Sequence, residues 1–425
     1  MNFLKIVKLA LVTSFCLMYF AVHAQQKAQV PKVVLIIADG IPADVIERLK
    51  PQALTSLIKS GIYSRAYVGG KTGTYKETPT ISAPGYNDML TGTWAYKHNV
   101  WENDNQHPNY NYPSIFSIFK MKRPLAKMAI FSTWLENRKT LLGEGLPQTK
   151  NLRLDYHFDG YEKDSLRFPH DTASLYLHNI DEYVVNSADS IIRKNAPDLS
   201  WIYLEYTDDI GHKSGTGTAF DQAIKLLDNQ LKKIDAAIKY REANYNEKWL
   251  LIVTTDHGRD SITGADHGNQ SKRERTTWMV LNHPLTNSYF SFEEPGIVDI
   301  LPSVANFLKI SLPSQIKNEL DGTPFIGPVS ITDARLNTKG DQLNLFWKSF
   351  NKTEKVKIFI SYKNMARKGE PETYKLIGTT NSGTESFSTR LDNLSHHNFF
   401  KVLIQGKFNS INVWKTIERY KPETK

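Results

Sequence analysis

Cysteine is nearly absent: one occurs in 425 residues, and it is Cys16, inside an apolar stretch close to the amino terminus. A disulfide framework is therefore excluded for everything that follows. Long apolar runs are missing as well. The stretch from Leu9 to Val22 falls short of the ~20 residues that span a bilayer; it follows Lys5 and Lys8 and leads into Val22-His23-Ala24. With a basic start, an apolar middle and a small-residue end, residues 1–24 read as a secretory signal peptide, and no transmembrane anchor remains after cleavage. Phe15 precedes Cys16 where a lipoprotein signal would carry a small residue, so lipidation is not expected. An exported chain without disulfides suits a periplasmic or secreted setting. Internal repeats and low-complexity tracts are also lacking, and charge of one sign is not concentrated anywhere. The formal charge of +9 falls to +7 once Lys5 and Lys8 leave with the leader. Scattered basic residues read as a solvated face and argue against an obligate nucleic-acid partner. Such a surface draws anionic substrates from a distance without naming one.

Against those absences stands one dense stretch. Trp249-Leu250-Leu251-Ile252-Val253 reads as a buried parallel strand, and it runs into Thr254-Thr255-Asp256-His257-Gly258, with Asp266-His267-Gly268 one loop later. Ligands collect beyond the carboxyl ends of such strands, and imidazole nitrogen with carboxylate oxygen is a donor set zinc accepts. The pattern repeats twice. Residues 33–38 form an apolar strand ending in Asp39-Gly40, and residues 201–206 lead into Thr207-Asp208-Asp209-Ile210-Gly211-His212. A lone strand-end aspartate is usually a cap or a turn residue. Three of them joined by His212, His257 and His267 read as metal ligands. One ion would be crowded by so many, so the count implies two, which in phosphoryl-transfer sites lie ~3.5–4 Å apart.

A nucleophile is available in Thr80-Ile81-Ser82-Ala83-Pro84-Gly85-Tyr86-Asn87, which runs on to Thr91-Gly92. Pro84 suits a first helical turn, whose free N–H groups and dipole favour an ionised hydroxyl and a bound phosphate. Ser82 is equally readable as a plain N-cap.

These residues together resemble the alkaline phosphatase superfamily, and most closely its nucleotide pyrophosphatase/phosphodiesterase branch, over residues 32–325. The matching motifs, in the family's order, are Asp39-Gly40; Ser82 with Pro84 and Thr91-Gly92; Asp208 with Gly211-His212; Asp256-His257-Gly258; and His267-Gly268. The resemblance implies one zinc held by Asp208, His212 and His267, and a second by Asp39, Ser82, Asp256 and His257. It also implies that Asn103, in His98-Asn99-Val100-Trp101-Glu102-Asn103, donates to a phosphoryl oxygen; the other reading of that segment is a polar turn. Ala83 replaces the usual aromatic and Gly85 the usual Asn, so a smaller substrate-side wall is expected; where an Arg is frequent, Pro42 begins the helix instead. Monoesterase relatives add a Lys and an Arg two apart. Leu135-Glu136-Asn137-Arg138 has Glu136 at the Lys position, which favours a diesterase.

The expected fold is α/β, a doubly wound, mostly parallel sheet of alkaline phosphatase type, followed by a small all-β sandwich. Phe220, Ile224, Leu227, Leu231, Ile234 and Ile238 mark the amphipathic crossover helix between the Asp208 and Asp256 strands. Residues 297–308 read as a closing helix. From Pro328 the texture changes to alternating strands around Leu343, Val356 and Phe400. This tail resembles a fibronectin type III domain, with Trp347 where the second strand buries a Trp, although Phe400 lacks the hydroxyl of a tyrosine corner. The divisions are then residues 25–327 for the catalytic domain and 328–425 for the β domain. The resemblance implies a secreted phosphohydrolase with two Zn2+, acting on a small-molecule phosphate ester through Ser82. A phosphomonoesterase or sulfatase on the same ligands is the alternative, a phosphomutase fits export poorly, and a non-catalytic binding protein would have lost a ligand. Loops 94–111 and 134–154 are expected to choose the substrate; the sequence names neither that substrate nor the oligomeric state.

Overall fold

The computed structural model describes residues 28–104 and 107–418; the leader at residues 1–24 lies outside them. In the first part of the chain the strands are β1 (Val30–Ala38), β2 (Ile62–Tyr67), β3 (Met128–Ser132), β4 (Tyr156–Phe158), β5 (Leu199–Leu204), β6 (Glu247–Thr254) and β7 (Thr276–Leu281). They form one sheet in the order β2-β7-β6-β1-β5-β3-β4. β3, β4, β5, β1 and β6 are parallel, and β7 runs antiparallel to both β6 and β2. β1 sits at the centre, and its apolar run needs cover on both faces. Val33, Leu35 and Ile37 enter one core, while Val34, Ile36 and Ala38 enter the other.

Helices cover both faces. On the first lie α1 (Ser82–Thr91), α2 (Ile115–Lys122) and, later in the chain, the helix Ile300–Phe307; on the second lie α3 (Leu175–Asn195) and α5 (Thr218–Asn244), with α4 (Tyr206–Ser214) between them in sequence. The stripe from Phe220 to Ile238 is buried along α5, as its three-and-four spacing predicts. In the closing segment a 3-10 turn (Ile297–Asp299) precedes the helix, so it is shorter than the apolar pattern suggested.

One boundary differs in a way that matters for the site. β5 stops at Leu204, and Tyr206 already begins α4. The cause is Asp181 on α3, whose carboxylate accepts the N–H groups of Glu205 and Tyr206 at 3.2 and 3.0 Å and so caps the new helix. Asp208 and His212 therefore share a helical face one turn apart instead of lying in a strand-end loop.

The remaining strands, β8 (Ile331–Lys339), β9 (Gln342–Ser349), β10 (Lys355–Ser361), β11 (Lys375–Asn381), β12 (Ser386–Arg390), β13 (Phe399–Gln405) and β14 (Ser410–Thr416), form two antiparallel sheets, β12-β9-β8 and β11-β10-β13-β14. Trp347 is 2% exposed in the core between them, beside Leu394 and Phe400. The two parts of the chain meet at a polar and aromatic seam. Trp414 stacks on Tyr75 with ring centroids 5.6 Å apart. Buried Lys97 donates to the Glu319 carbonyl at 2.6 Å and to Asn412 at 3.2 Å, and buried Lys401 pairs with Glu319 at 2.9 Å.

Candidate active site

Register brings the three aspartates together. Ala38 is level with Leu204, and Ile37 with Thr254, so Asp39, Asp208 and Asp256 leave neighbouring strands at one edge of the sheet. Gly40, at φ +66°, lets β1 turn away there; a Cβ on it would lie 2.3 Å from Asp208 Oδ1. Opposite this edge starts α1. Its N-cap is Ile81, in extended conformation, and Ser82 is the first helical residue. The N-cap reading of Ser82 is thus corrected: Ile81 holds the cap position, and the Ser82 hydroxyl lies 3.4 Å from His257 Nε2.

Two groups of ligand-type atoms result, each within 4.8 Å: Asp39, Asp256 and His257, and Asp208, His257 and His267. His212 joins the second, with its Nε2 3.1 Å from His267 Nε2 and 3.2 Å from Asp208 Oδ2. All seven residues expected around the metals are therefore gathered in one place. Their hydrogen bonds show what could bind. His257 Nδ1–H donates to the Gly258 carbonyl at 2.9 Å, which leaves Nε2 as a lone pair. That lone pair faces Asp39 Oδ1 at 3.4 Å and Asp256 Oδ2 at 3.3 Å. Both oxygens are buried without a donor, so three acceptors converge on one point, an arrangement that fits a cation. In the other group His267 Nδ1–H donates to the Thr80 carbonyl at 2.9 Å, again turning Nε2 inward. A carbonyl behind each imidazole is the usual way a ligating histidine is oriented.

Without a cation the cluster holds protons. Burial and the charge of Asp208 push the Asp39 carboxyl up to about 7, against the hydrogen bonds of Tyr86 and Tyr203. Burial, Asp39 and Asp208 likewise push the Asp256 carboxyl well above its ordinary value. Burial and His267 drive the His257 imidazole well below its ordinary value, and burial likewise lowers His267. Burial opposes ionisation of Asp208 too, yet His212 and the Arg259 guanidinium outweigh it and hold that carboxyl low. Divalent metal would invert this balance by favouring carboxylates and neutral imidazoles.

Several supporting residues were not anticipated. Arg259 is fully buried and donates to the carbonyls of Gly40, Ala265 and Asp208 at 2.9, 2.8 and 2.7 Å, as well as to Asp208 Oδ1. Tyr86 and Tyr203 both donate to Asp39 Oδ2, Tyr203 at 2.8 Å. Tyr86 stands one helical turn after Ser82, a spacing that carried the signal; Arg259 merely followed a recognised motif. Asn103 is placed beside the nucleophile, since its Oδ1 accepts the Ala83 N–H at 2.9 Å.

Two expectations change. Gly85 does not make a substrate wall smaller: a Cβ there would meet the Asp256 carbonyl oxygen at 2.9 Å, so the glycine lets α1 approach the Asp256 loop, and Ala83 is buried in the core. Glu136 is held by Thr140 at 2.6 Å and by Lys163 at 3.3 Å, while Arg138 is bound to Asp159 and Glu144. Among the described residues, neither side chain pairs with a member of the metal-type groups. Among the described residues Arg259 is the one Lys or Arg that touches them.

A centre of this make-up at the carboxyl edge of such a sheet is that of the alkaline phosphatase superfamily. Within it, the family model of type I phosphodiesterases/nucleotide pyrophosphatases matches residues 33–321, and the chain belongs to that family. Among curated proteins it is similar to a 2,3-bisphosphoglycerate-independent phosphoglycerate mutase of Mycoplasma mobile, 32% identical over 28% of this chain and 22% of that one. It is also similar to a phosphopentomutase of Acetivibrio thermocellus, 26% identical over 37% of this chain and 36% of that one. The chain thus matches only about a fifth to a third of the length of these relatives. Similar solved structures include one named as a putative sulfatase of Bacteroides thetaiotaomicron, with TM-score 0.49 and 14% identity over 76% of this chain and 82% of that one. Another is murine ectonucleotide pyrophosphatase/phosphodiesterase 5 with AMP, with TM-score 0.46 and 16% identity over 67% of this chain and 96% of that one.

Proposed function

We propose that the protein is an exported two-zinc phosphohydrolase that cleaves phosphodiester or pyrophosphate bonds through a phosphorylated Ser82. The observation that carries this reading is the convergence of the Ser82 hydroxyl with His257 Nε2 and the orphaned Asp39 Oδ1 and Asp256 Oδ2. Bound at the two groups, divalent cations would supply the positive charge that ionises the hydroxyl and neutralises oxygens on phosphorus. Ser82 Oγ would attack phosphorus in line, its new bond forming as the bond to the leaving oxygen breaks. Water would then attack the same phosphorus and return Ser82, so a diester and one water become an alcohol and a monoester. Asn103, tied to the helix start through Ala83, would steady a non-bridging oxygen. A monoester dianion would ask for one more cation, and the one arginine at the centre is already spent on Asp208 and backbone carbonyls. That favours diesters.

Purified enzyme in zinc buffer should be given bis(p-nitrophenyl) phosphate, p-nitrophenyl phosphate and p-nitrophenyl sulfate in parallel, with Ser82→Ala alongside. The diester should turn over fastest, and Ser82→Ala should lose nearly all turnover while keeping its unfolding temperature. Retained activity in that variant would remove Ser82 from the nucleophile role; sulfate as the best substrate would replace the reading with a sulfatase. Export is part of the proposal too: the mature chain would begin at Gln25, which amino-terminal sequencing checks. We also read the β-rich tail as fibronectin type III-like, packed in a structural role.

A further inference from the structure

The two oxygens of Asp39 are treated differently by the chain around them. Oδ2 accepts the hydroxyls of Tyr86 on α1 and Tyr203 on β5, the latter at 2.8 Å; Tyr203 reaches it from beside Ile37, two residues before Asp39. A carboxylate oxygen carries two lone pairs, and two donors fill both. Oδ1 is buried without a hydrogen bond. The tyrosines are 0% and 3% exposed, so water does not stand in for either hydroxyl. Their rings pack with centroids 5.0 Å apart, and Trp134 and Trp201 meet Tyr86 edge-on, which fixes where the hydroxyls point.

The other two aspartates repeat the pattern with other donors. Asp256 Oδ1 accepts the Gly40 N–H at 3.1 Å and leaves Oδ2 without a partner. Asp208 Oδ1 accepts from Arg259 and leaves Oδ2 at 3.2 Å from His212 Nε2. Each carboxylate thus presents one oxygen to the centre. In the first group the ligand atoms are then Asp39 Oδ1, Asp256 Oδ2, His257 Nε2 and the Ser82 hydroxyl. Single atoms of mixed nitrogen and oxygen in that number suit zinc, which takes about four ligands. Manganese prefers about six, mostly oxygens, and would gain from the second oxygen of Asp39. The tyrosines withhold that oxygen.

We propose that Tyr86 and Tyr203 are positioning residues that hold Asp39 to one-oxygen coordination, and that they thereby make the first group select zinc over oxygen-preferring ions such as manganese. The inference rests on the reading of this cluster as a metal centre. Its test needs no substrate: zinc binding to the full chain is measured by competition with a chromogenic chelator, and manganese binding by paramagnetic resonance of the free ion. The variants are Tyr86→Phe, Tyr203→Phe and the pair, which keep the rings and delete only the hydroxyls. Zinc should be held about 10–100-fold more weakly at one site in the pair. Manganese should be held as well as before or more tightly, so the preference for zinc falls by roughly tenfold or more. Each single variant should shift it in the same direction, and unfolding temperatures in chelator report which variants keep the fold. Zinc and manganese weakened by one common factor, or an unmoved preference in variants that fold, overturns the proposal and leaves the metal reading standing. An unaltered chain that binds no zinc overturns both.

Discussion

Replacing Arg259 by Met tests how far one buried cation organises the centre. The two side chains are of comparable length, so little packing volume is lost, but all four hydrogen bonds of the guanidinium disappear. Three carbonyls, the buried one of Gly40 and the part-buried ones of Ala265 and Asp208, and the Asp208 carboxylate would lose a donor. Each unsatisfied neutral group costs about 1–3 kcal/mol, and breaking a buried ion pair costs about 3–5 kcal/mol in all. The Ala265 and Asp208 bonds are only partly buried, beside an Asp208 side chain 14% exposed, so water will replace some of them and about 3–5 kcal/mol is the expected total rather than the sum of all four terms. For a domain of this size that is a fall of roughly 5–10 °C in unfolding temperature. Scanning calorimetry in chelator reads it directly, without metal masking the change. The same variant should hold zinc about 10–100-fold more weakly, because the carboxylate of Asp208 is no longer aimed; competition with a chromogenic chelator measures this. Arg259→Lys should recover little, since an ammonium cannot span the four acceptors as the planar fork does. An unfolding temperature unchanged within error in chelator would refute the account of Arg259 as the keystone of Asp208.

Elemental analysis of protein purified without chelator should find about two zinc ions per chain, and chelation should abolish hydrolysis with zinc restoring it; active enzyme without metal would end the two-ion reading. The diester should exceed the monoester in kcat/KM by roughly tenfold or more, if the missing cation is worth at least about 1.4 kcal/mol in the transition state. Glu136→Gln should leave that ratio unchanged, because Thr140 and Lys163 already occupy the carboxylate; a shifted ratio would put Glu136 in the substrate pocket. Burial pushes Lys97 down from 10.5 to about 8. The folded chain then binds fewer protons than the unfolded one between those values, so this group's contribution is present above 10.5 and lost as pH falls through about 8. Denaturant titrations should show the rise in stability from pH 8 to 10.5 flattened in Lys97→Met, and an unaltered slope would contradict the shift.

The parts legible in the sequence were those fixed by local pattern. β1, β5 and β6 announce themselves because a strand covered on both faces must be apolar throughout, and the aspartates beyond them follow from where such strands end. His212 was legible four residues after Asp208, although the helix that makes the spacing effective was not. Its start depends on Asp181, more than twenty residues earlier, and no local pattern connects the two. Arg259 stayed hidden for a similar reason: an arginine reads as a surface residue until the carbonyls around it are in place. Gly85 was misread as space for substrate when its use is close approach to the Asp256 loop. Glu136 was placed by likeness to a motif, whereas Lys163 decides where its carboxylate goes. In the tail, the burial of Trp347 expected from the resemblance is found, but the seam around Trp414 joins residues more than three hundred positions apart and leaves no periodic trace.

That seam bears on how the gene can be cut. A protein ended after residue 327 would leave Lys97 without Asn412 and Glu319 without Lys401, and would expose the flat face of Tyr75 that Trp414 covers. The shortened product would carry a charged and aromatic scar where a stable surface is needed, prone to clumping during production. Shuffling of the coding sequence, by an engineer or by recombination, would have to move both parts as a single cassette, or rebuild the scar residues before the front half could stand alone.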